Sequence, residues 1–298
     1  MQTKVAKAAV AHADSTASEV CKGVEAEIEG ESHFPISSLA ISISYGIWIM
    51  RVVSPENETD RTAAWFQETS IMTPLVASFC YLCMCHFGKQ YMMTREPFEL
   101  KYPMLVYNLY QTVFNTLCIV YFVKEWRDNN MSIWGNRTDF GPKGFGMAQL
   151  IYLHYNNKYI ELLDTTFMVL RKKFNQMSFL HMYHHVLLVW AWFITVRLDP
   201  GGDAYFGAGV NTFVHIVMYS YYFLSALKIN CFWKKYITQL QLTQFVACGC
   251  NSIYCWYAGN HHPVLPYIEL WVMTTMFYLF SQFYRNAYKK KQAAAKSA

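Results

Sequence analysis

The sequence predicts an all-α membrane protein, on three observations. Of 298 residues, 54% are hydrophobic and 17% aromatic, while only 15% are charged, against about 25% charged in soluble domains. The charges crowd into the first 35 residues, a few short loops and the tail. Between them apolar stretches of about 20 residues recur, the length that carries an α-helix across a ~30 Å hydrocarbon core. Strands are excluded, because an open sheet cannot satisfy its backbone in lipid. The same numbers exclude a disordered chain, a nucleic-acid-binding domain and a disulfide-stapled secreted module.

Residues 1–35 are polar, without apolar periodicity, and read as disordered. Their glutamates and the late onset of apolar sequence argue against a signal or transit peptide. Residues 36–53 are apolar but near the ~17-residue minimum for a span; they either cross or lie in the interface, and with a loop they make up 36–70. A seven-helix domain follows over 71–288, with spans at 71–93, 103–123, 145–170, 177–196, 205–227, 236–257 and 266–284. Residues 289–298 form a basic tail. With that tail inside, fourteen Lys and Arg fall on the cytosolic side and six opposite, so the positive-inside rule puts the C-terminus in the cytosol. The sequons at Asn57, Asn130 and Asn136 all fall on the side so assigned to the lumen. The nine cysteines lie mostly in apolar stretches, as small buried apolar groups do. Cys80-x-x-Cys83-x-Cys85-His86 has no second half for a metal site and reads as packing.

Polar residues inside the spans carry the functional signal, since ionisable groups in a membrane are costly and face an interior. The third span holds His154, Lys158, Glu161 and Asp164, then Thr165, on adjoining parts of one helical face. They form either a packing ion pair or the wall of a cavity. His181, His184 and His185, at i, i+3 and i+4, put three imidazoles on one face of the fourth span. Asn211, His215, Tyr219 and Tyr222 make a stripe on the fifth, and Thr238, Gln241 and Gln244 one on the sixth. Four successive spans, each with a polar face, imply a polar chamber within the bundle.

Clustered His could bind iron, as in membrane desaturases and hydroxylases. With ten His in all, His12 and His33 in the polar N-terminal region, His261 and His262 in a loop, and no second HxxHH box, a di-metal centre is disfavoured. Metal-free acyl transfer suits the chamber better. A neutral imidazole is a competent nucleophile toward a thioester, or an acid–base near its ordinary pKa of ~6.5, and Asn and Tyr can donate to an oxyanion. A transporter with a polar chamber is the remaining alternative.

Lys158-Tyr-Ile-Glu161-Leu-Leu-Asp164-Thr165, His181-Met-Tyr-His184-His185, Asn211-Thr-Phe-Val-His215-Ile-Val-Met218-Tyr219-Ser-Tyr221-Tyr222 and Thr238-Gln-Leu-Gln241-Leu-Thr-Gln244 occur in that order. Together they resemble the very-long-chain fatty acid elongase (ELO) family of membrane 3-oxoacyl-CoA synthases, over about 71–288. The resemblance implies seven transmembrane helices in the endoplasmic reticulum membrane, six of them forming a barrel of two inverted three-helix units around an acyl tunnel. It implies condensation of acyl-CoA with malonyl-CoA, releasing CO2 and CoA, with no metal or redox cofactor. In this reading His184 accepts the acyl group, and His215, supported by Asn211, orients the malonyl thioester. His181 and His185 manage protons. Lys158, Glu161 and Asp164 organise the chamber, alongside Tyr219, Tyr222, Gln241 and Gln244. Arg171, Lys172, Lys173, Lys234 and Lys235 suit the phosphates of CoA, or else serve only as topology signals. Implied partners are the lipid bilayer, 3-oxoacyl-CoA reductase and the other elongation-cycle enzymes; a homodimer is compatible. The segments around His154, Gln176–His185 and Pro200–Phe206 are similar to microalgal and protist elongases of polyunsaturated chains, which points to C18–C20 substrates.

Overall fold

The computed structural model describes residues 69–297, with side chains through residue 286. The readings for 1–35, 36–53, Asn57 and the lysines of 289–298 lie outside the described side chains. Seven helical units follow one another, and no strand occurs among the described residues. The first, α1, begins at Met72–Cys83, passes through a π-helical turn over Met84–Gly88 and ends in Lys89–Met93. Next come α2 (Lys101–Asp128) and α3, which is Phe145–Glu161 continued by Leu163–Leu170. Then follow α4 (Phe179–Leu198), α5 (Ala204–Ala226), α6 (Ile237–Ala258) and α7 (Leu265–Ser297). Two features depart from the sequence reading: the π turn in α1 and the interruption of α3 at Leu162.

Local chemistry explains several boundaries. Ser178 caps α4, its Oγ accepting from the His181 N–H at 3.3 Å. Ser178→Ala should cost about 0.5–2 kcal/mol, read as a lowered midpoint in thermal unfolding. The α4 helix stops where Asp199 meets Pro200, whose ring disfavours helix in the residue before it.

The packing pairs α2 with α3, α3 with α4, α4 with α7, α7 with α6, α6 with α5 and α5 with α2. Connections of 5 to 16 residues join consecutive helices, which return across the bundle, so neighbours in this circuit alternate in direction. The α1 unit packs on α3 and α4.

Helix α2 shows what lies on each side. Its polar Asn108, Gln111 and Asn115 are 3%, 0% and 1% exposed, whereas Val106, Leu117 and Val120 are 70%, 53% and 58% exposed. A soluble helix buries the opposite set. Polar groups inward and apolar groups outward is the arrangement a hydrocarbon solvent requires, consistent with an all-α membrane protein. Among the described residues, one helix, Phe179–Leu198, is long and apolar enough to cross a membrane by length and composition alone. The α1 and α3 units are divided into shorter pieces by the π turn and the break at Leu162, and polar residues lower the average of α2, α5, α6 and α7. The cysteine reading needs correction for the same reason: Cys85, Cys118, Cys248 and Cys255 are buried, but Cys80 and Cys250 are exposed, on the outward apolar surface.

One end of the bundle is tied together across three connections. Asp203 accepts from the Gly135 N–H at 2.6 Å, the Asn136 N–H at 2.7 Å and Asn136 Nδ2 at 2.6 Å. The Asn136 side chain is thus held by Asp203 and by the Ser132 carbonyl. Gly202 sits beneath at φ +49°, where a Cβ would come within 2.7 Å of the Asn136 carbonyl; only glycine fits both the angle and the space. His261 Nδ1 lies 2.9 Å from Asp199 Oδ2, and its Nε2 accepts from the Asp203 N–H at 3.2 Å.

Burial alone would lower the pKa of His261, but the hydrogen bond and charge of Asp199, with Asp203 and Glu269 nearby, outweigh it and raise the value above 6.5. A raised folded value means this stabilisation is complete below the unfolded pKa of ~6.5 and is lost as pH climbs through the folded one. In detergent, the thermal midpoint should therefore be higher near pH 6 than near pH 9, and His261→Gln should flatten that difference.

Candidate functional site

The α3 helix brings four polar side chains inward near its C-terminal end. Lys158 and Glu161 side chains are each 2% exposed, with Nζ 2.9 Å from Oε1. Lys158 also donates to Asn211 Oδ1 of α5 at 2.9 Å. On the same Glu161 oxygen converge Asn157 Nδ2 at 3.0 Å and His215 Nδ1 at 3.2 Å. The imidazole nitrogen approaches off the hydrogen-bond line. A buried ion pair is tolerated when further donors and acceptors satisfy its remaining capacity, and here α3 and α5 supply them.

The network extends through α2. Asn157 donates to Gln111 Oε1 at 2.9 Å, and Gln111 Nε2 reaches Tyr107 Oη at 3.5 Å. Tyr107 and Tyr219 hydroxyls are 3.3 Å apart, and Tyr219 donates to Asp164 Oδ2 at 2.7 Å. Asp164 therefore lies beyond the break at Leu162 and engages Tyr219, while Glu161 engages His215. Sequence spacing placed both carboxylates on one face; the interruption of α3 sends them to opposite ends of one hydrogen-bonded chain.

The three imidazoles of α4 form a second group. His181 Nε2 shares a 2.8 Å hydrogen bond with Thr165 Oγ1, which shares another of 2.9 Å with Tyr81 Oη. The His181 and His185 rings meet edge to face at 4.5 Å, and those of His184 and His185 at 5.2 Å. His185 is buried, whereas His184 faces a cavity between α4, α5, α6 and α7. Asn211 and Gln244 line this cavity too, with Leu188, Phe245 and Met276 among its apolar walls. Asn211 joins the two groups: its Oδ1 is taken by Lys158, which fixes the amide orientation and leaves Nδ2 as a donor. His215 is 5% exposed, on the inner side of α5.

The remaining candidates are dispersed. Gln241 rests against Met218 Sδ at 3.9 Å. Tyr222 is 41% exposed, edge-on to Tyr219. Arg171 reaches Met104 Sδ at 3.2 Å. Lys172 binds the Met93 and Arg95 carbonyls at 3.2 and 3.0 Å, tying down the end of α1. Lys173 is exposed. Lys234 and Lys235 lie over the rings of Tyr221 and Tyr236. The five cations thus border the end of the bundle at which α4 begins, without converging on one point.

Sequence reasoning passed over Tyr107, Gln111 and Asn115, the α2 contribution to the network. Their spacing of four was a legible signal, being one inward stripe. Tyr81 and Asn157 carried no such pattern. His154 was noticed, and its ring packs edge-on to Trp192 at 4.5 Å with Nδ1 3.3 Å from Thr212 Oγ1.

As for metals, the His/Cys/Asp/Glu grouping with donor atoms within 4.8 Å of one another, among the described residues, is Asp203, Cys255 and His261. It lies at the far end of the cavity from His184 and includes none of the α4 histidines.

Comparison with known proteins agrees with this architecture. The profile of the ELO family, described as GNS1/SUR4, matches residues 66–296. Very long chain fatty acid elongase 5 of Bos taurus is 34% identical over 246 residues, covering 78% of this chain and 79% of its own. Very long chain fatty acid elongase 7 of Rattus norvegicus is 37% identical over 226 residues, covering 70% and 78%. Very long chain fatty acid elongase 2 of Mus musculus is 33% identical over 236 residues, covering 78% and 81%. With four polar helix faces meeting inside the bundle and a match that spans all seven described helical units, the chain belongs to the ELO family.

Proposed function

We propose that this protein is the condensing enzyme of fatty acid elongation, joining a long-chain acyl-CoA to malonyl-CoA to give a 3-oxoacyl-CoA two carbons longer, with CO2 and free CoA. The observation that carries the reading is His184 facing a cavity lined mostly by apolar side chains. A hydrocarbon tail fits the apolar part, and a thioester carbonyl then lies beside the imidazole.

In the first half-reaction His184 attacks the thioester carbonyl, the C–S bond breaks, and CoA leaves as the thiol with the proton given up by the imidazole. His185 and His181, ring against ring and anchored through Thr165, hold the orientation of His184 and pass that proton. Asn211 Nδ2 donates to the developing oxyanion. In the second half-reaction malonyl-CoA loses CO2, and its enolate carbon attacks the acyl-imidazole carbonyl, releasing 3-oxoacyl-CoA and an imidazolate that takes up a proton from solvent, relayed through His185, to return to the neutral imidazole. His215, its Nδ1 3.2 Å from Glu161 Oε1, offers Nε2 to the malonyl thioester oxygen, while the Lys158–Glu161 pair organises the surrounding network. No electron transfer occurs, so the residues in place suffice without a metal or redox cofactor. Lys173, Lys234, Lys235 and Arg171 attract CoA phosphates at the open end.

The circuit of α2, α3, α4, α7, α6 and α5 supports a six-helix barrel of two inverted three-helix units, with α1 outside. The positive-inside bias supports a multi-pass protein of the endoplasmic reticulum with its C-terminus in the cytosol, handing product to 3-oxoacyl-CoA reductase. The motif similarities favour polyunsaturated C18–C20 acyl-CoA.

The test is malonyl-CoA-dependent extension by purified protein, with a C16–C22 panel of saturated and polyunsaturated acyl-CoA. A product two carbons longer, greatest with polyunsaturated C18–C20 chains, supports the reading. Conversion of acyl chains without malonyl-CoA, or iron that copurifies stoichiometrically, refutes it.

A further inference from the structure

The cavity changes character along its length. Next to His184 come Leu188, Phe245, Val272 and Met276, yet its far end is lined by Asp203, Asn251, Cys255, His261 and Glu269. A methyl-ended hydrocarbon would offer these polar groups nothing, and each buried donor or acceptor left unmet costs about 1–3 kcal/mol.

Most of that far end is already committed. Asp203 takes four donors, the fourth being Cys255 Sγ at 3.4 Å. Both nitrogens of His261 are engaged, so the Asp203–Cys255–His261 grouping has little free capacity for a cation. Two groups are different. Asn251 is 1% exposed and its Nδ2 has no partner. Glu269 is held by the Ser252 hydroxyl and still carries a carboxylate oxygen toward Gly207, where a Cβ would stand 3.2 Å from Oε1. Gly207 itself lines the cavity, so the missing side chain leaves open the space in front of an acceptor.

An unmet donor and an acceptor at the end of an apolar tube are complementary to one group that donates and accepts at once, a hydroxyl. Resting on the reading of the cavity as the acyl site, we propose that Asn251 and Glu269 form a subsite for an oxygenated chain terminus, so that the enzyme also extends ω-hydroxyacyl-CoA. The hydroxyl donates to Glu269 and accepts from Asn251 Nδ2. From His184 to Thr195 is eleven residues of α4, or about 16 Å at 1.5 Å each. Carbon–carbon bonds of ~1.5 Å at near-tetrahedral angles advance ~1.3 Å each, so a straight chain of about twelve carbons spans it, and a bent one is longer.

The test compares ω-hydroxyacyl-CoA with methyl-ended acyl-CoA at matched lengths from C12 to C18, each with malonyl-CoA. The quantity read is the ratio of the two kcat/KM values at each length. An apolar end disfavours the hydroxyl at every length. The subsite instead predicts a maximum of that ratio at one length, tenfold or more above its value at the shortest. Asn251→Leu and Glu269→Gln should each lower the maximum at least tenfold, measured against the methyl-ended chain in the same variant. A ratio flat with length, or one that both variants leave unchanged, overturns the subsite while leaving the elongation reading intact. If neither chain is extended, and polyunsaturated C18–C20 acyl-CoA run beside them is not extended either, the elongation reading fails instead. Competition of ω-hydroxy and methyl-ended fatty acids against a fluorescent fatty acid, in wild type and both variants, then decides the subsite: equal displacement overturns it.

Discussion

Lys158→Met is expected to abolish activity and to lower the yield of folded protein severely. The ammonium is 2% exposed and is shared between Glu161 and Asn211. Removing it strands the Glu161 carboxylate in the interior beside His215 and Asn157, and breaking one partner from a buried pair costs about 3–5 kcal/mol. Against a total stability of about 5–15 kcal/mol, that is a large fraction. Fluorescence-monitored size exclusion should show a diminished monodisperse peak. The double variant Lys158→Met/Glu161→Gln removes both charges and should regain much of that peak while remaining inactive. A single variant that folds and turns over normally would show that the pair only fills space.

His184→Ala should behave oppositely: folded like wild type, but with condensation reduced at least about 10³-fold, the scale on which loss of a nucleophile acts. The side chain borders a cavity instead of a packed core, so its truncation leaves little new void. Circular dichroism melting with unchanged midpoint, together with product formation near background, is the expected pair of results.

How much of this was legible beforehand follows from what hydropathy can carry. Seven helices were visible because apolar stretches of span length stand out against polar loops, and α3 and α4 announced themselves by charges and imidazoles where such residues are costly. The pairing of Lys158 with Glu161 followed from their spacing. Their partners did not, since Asn211 is 53 residues away from Lys158 and Gln111 is 46 away from Asn157. Tyr107, Gln111 and Asn115 looked unremarkable in a helix whose average was apolar, although their spacing held the stripe. The interruption at Leu162 separates Glu161 from Asp164 without Pro or Gly to mark it. Lys172 read as a phosphate ligand or a topology signal, and its contacts with the carbonyls of Met93 and Arg95 were not legible because sequence shows a charge and not its neighbours. Cys80 and Cys250 read as buried because apolar sequence does not distinguish a core from a hydrocarbon-facing surface. The far-end group of Asp199, Asp203, His261 and Glu269 draws on two connections and the start of α7, a convergence only the tertiary fold creates.

The central claim is that the imidazole at position 184 itself carries the acyl group. Incubating purified protein with a long-chain acyl-CoA in the absence of malonyl-CoA, quenching within one turnover and measuring intact mass tests it directly. A mass increase of one acyl group, released by malonyl-CoA and absent from His184→Ala, is the predicted result. An enzyme active in condensation whose mass never changes before malonyl-CoA arrives would contradict it, and would mean that both substrates react together in one step.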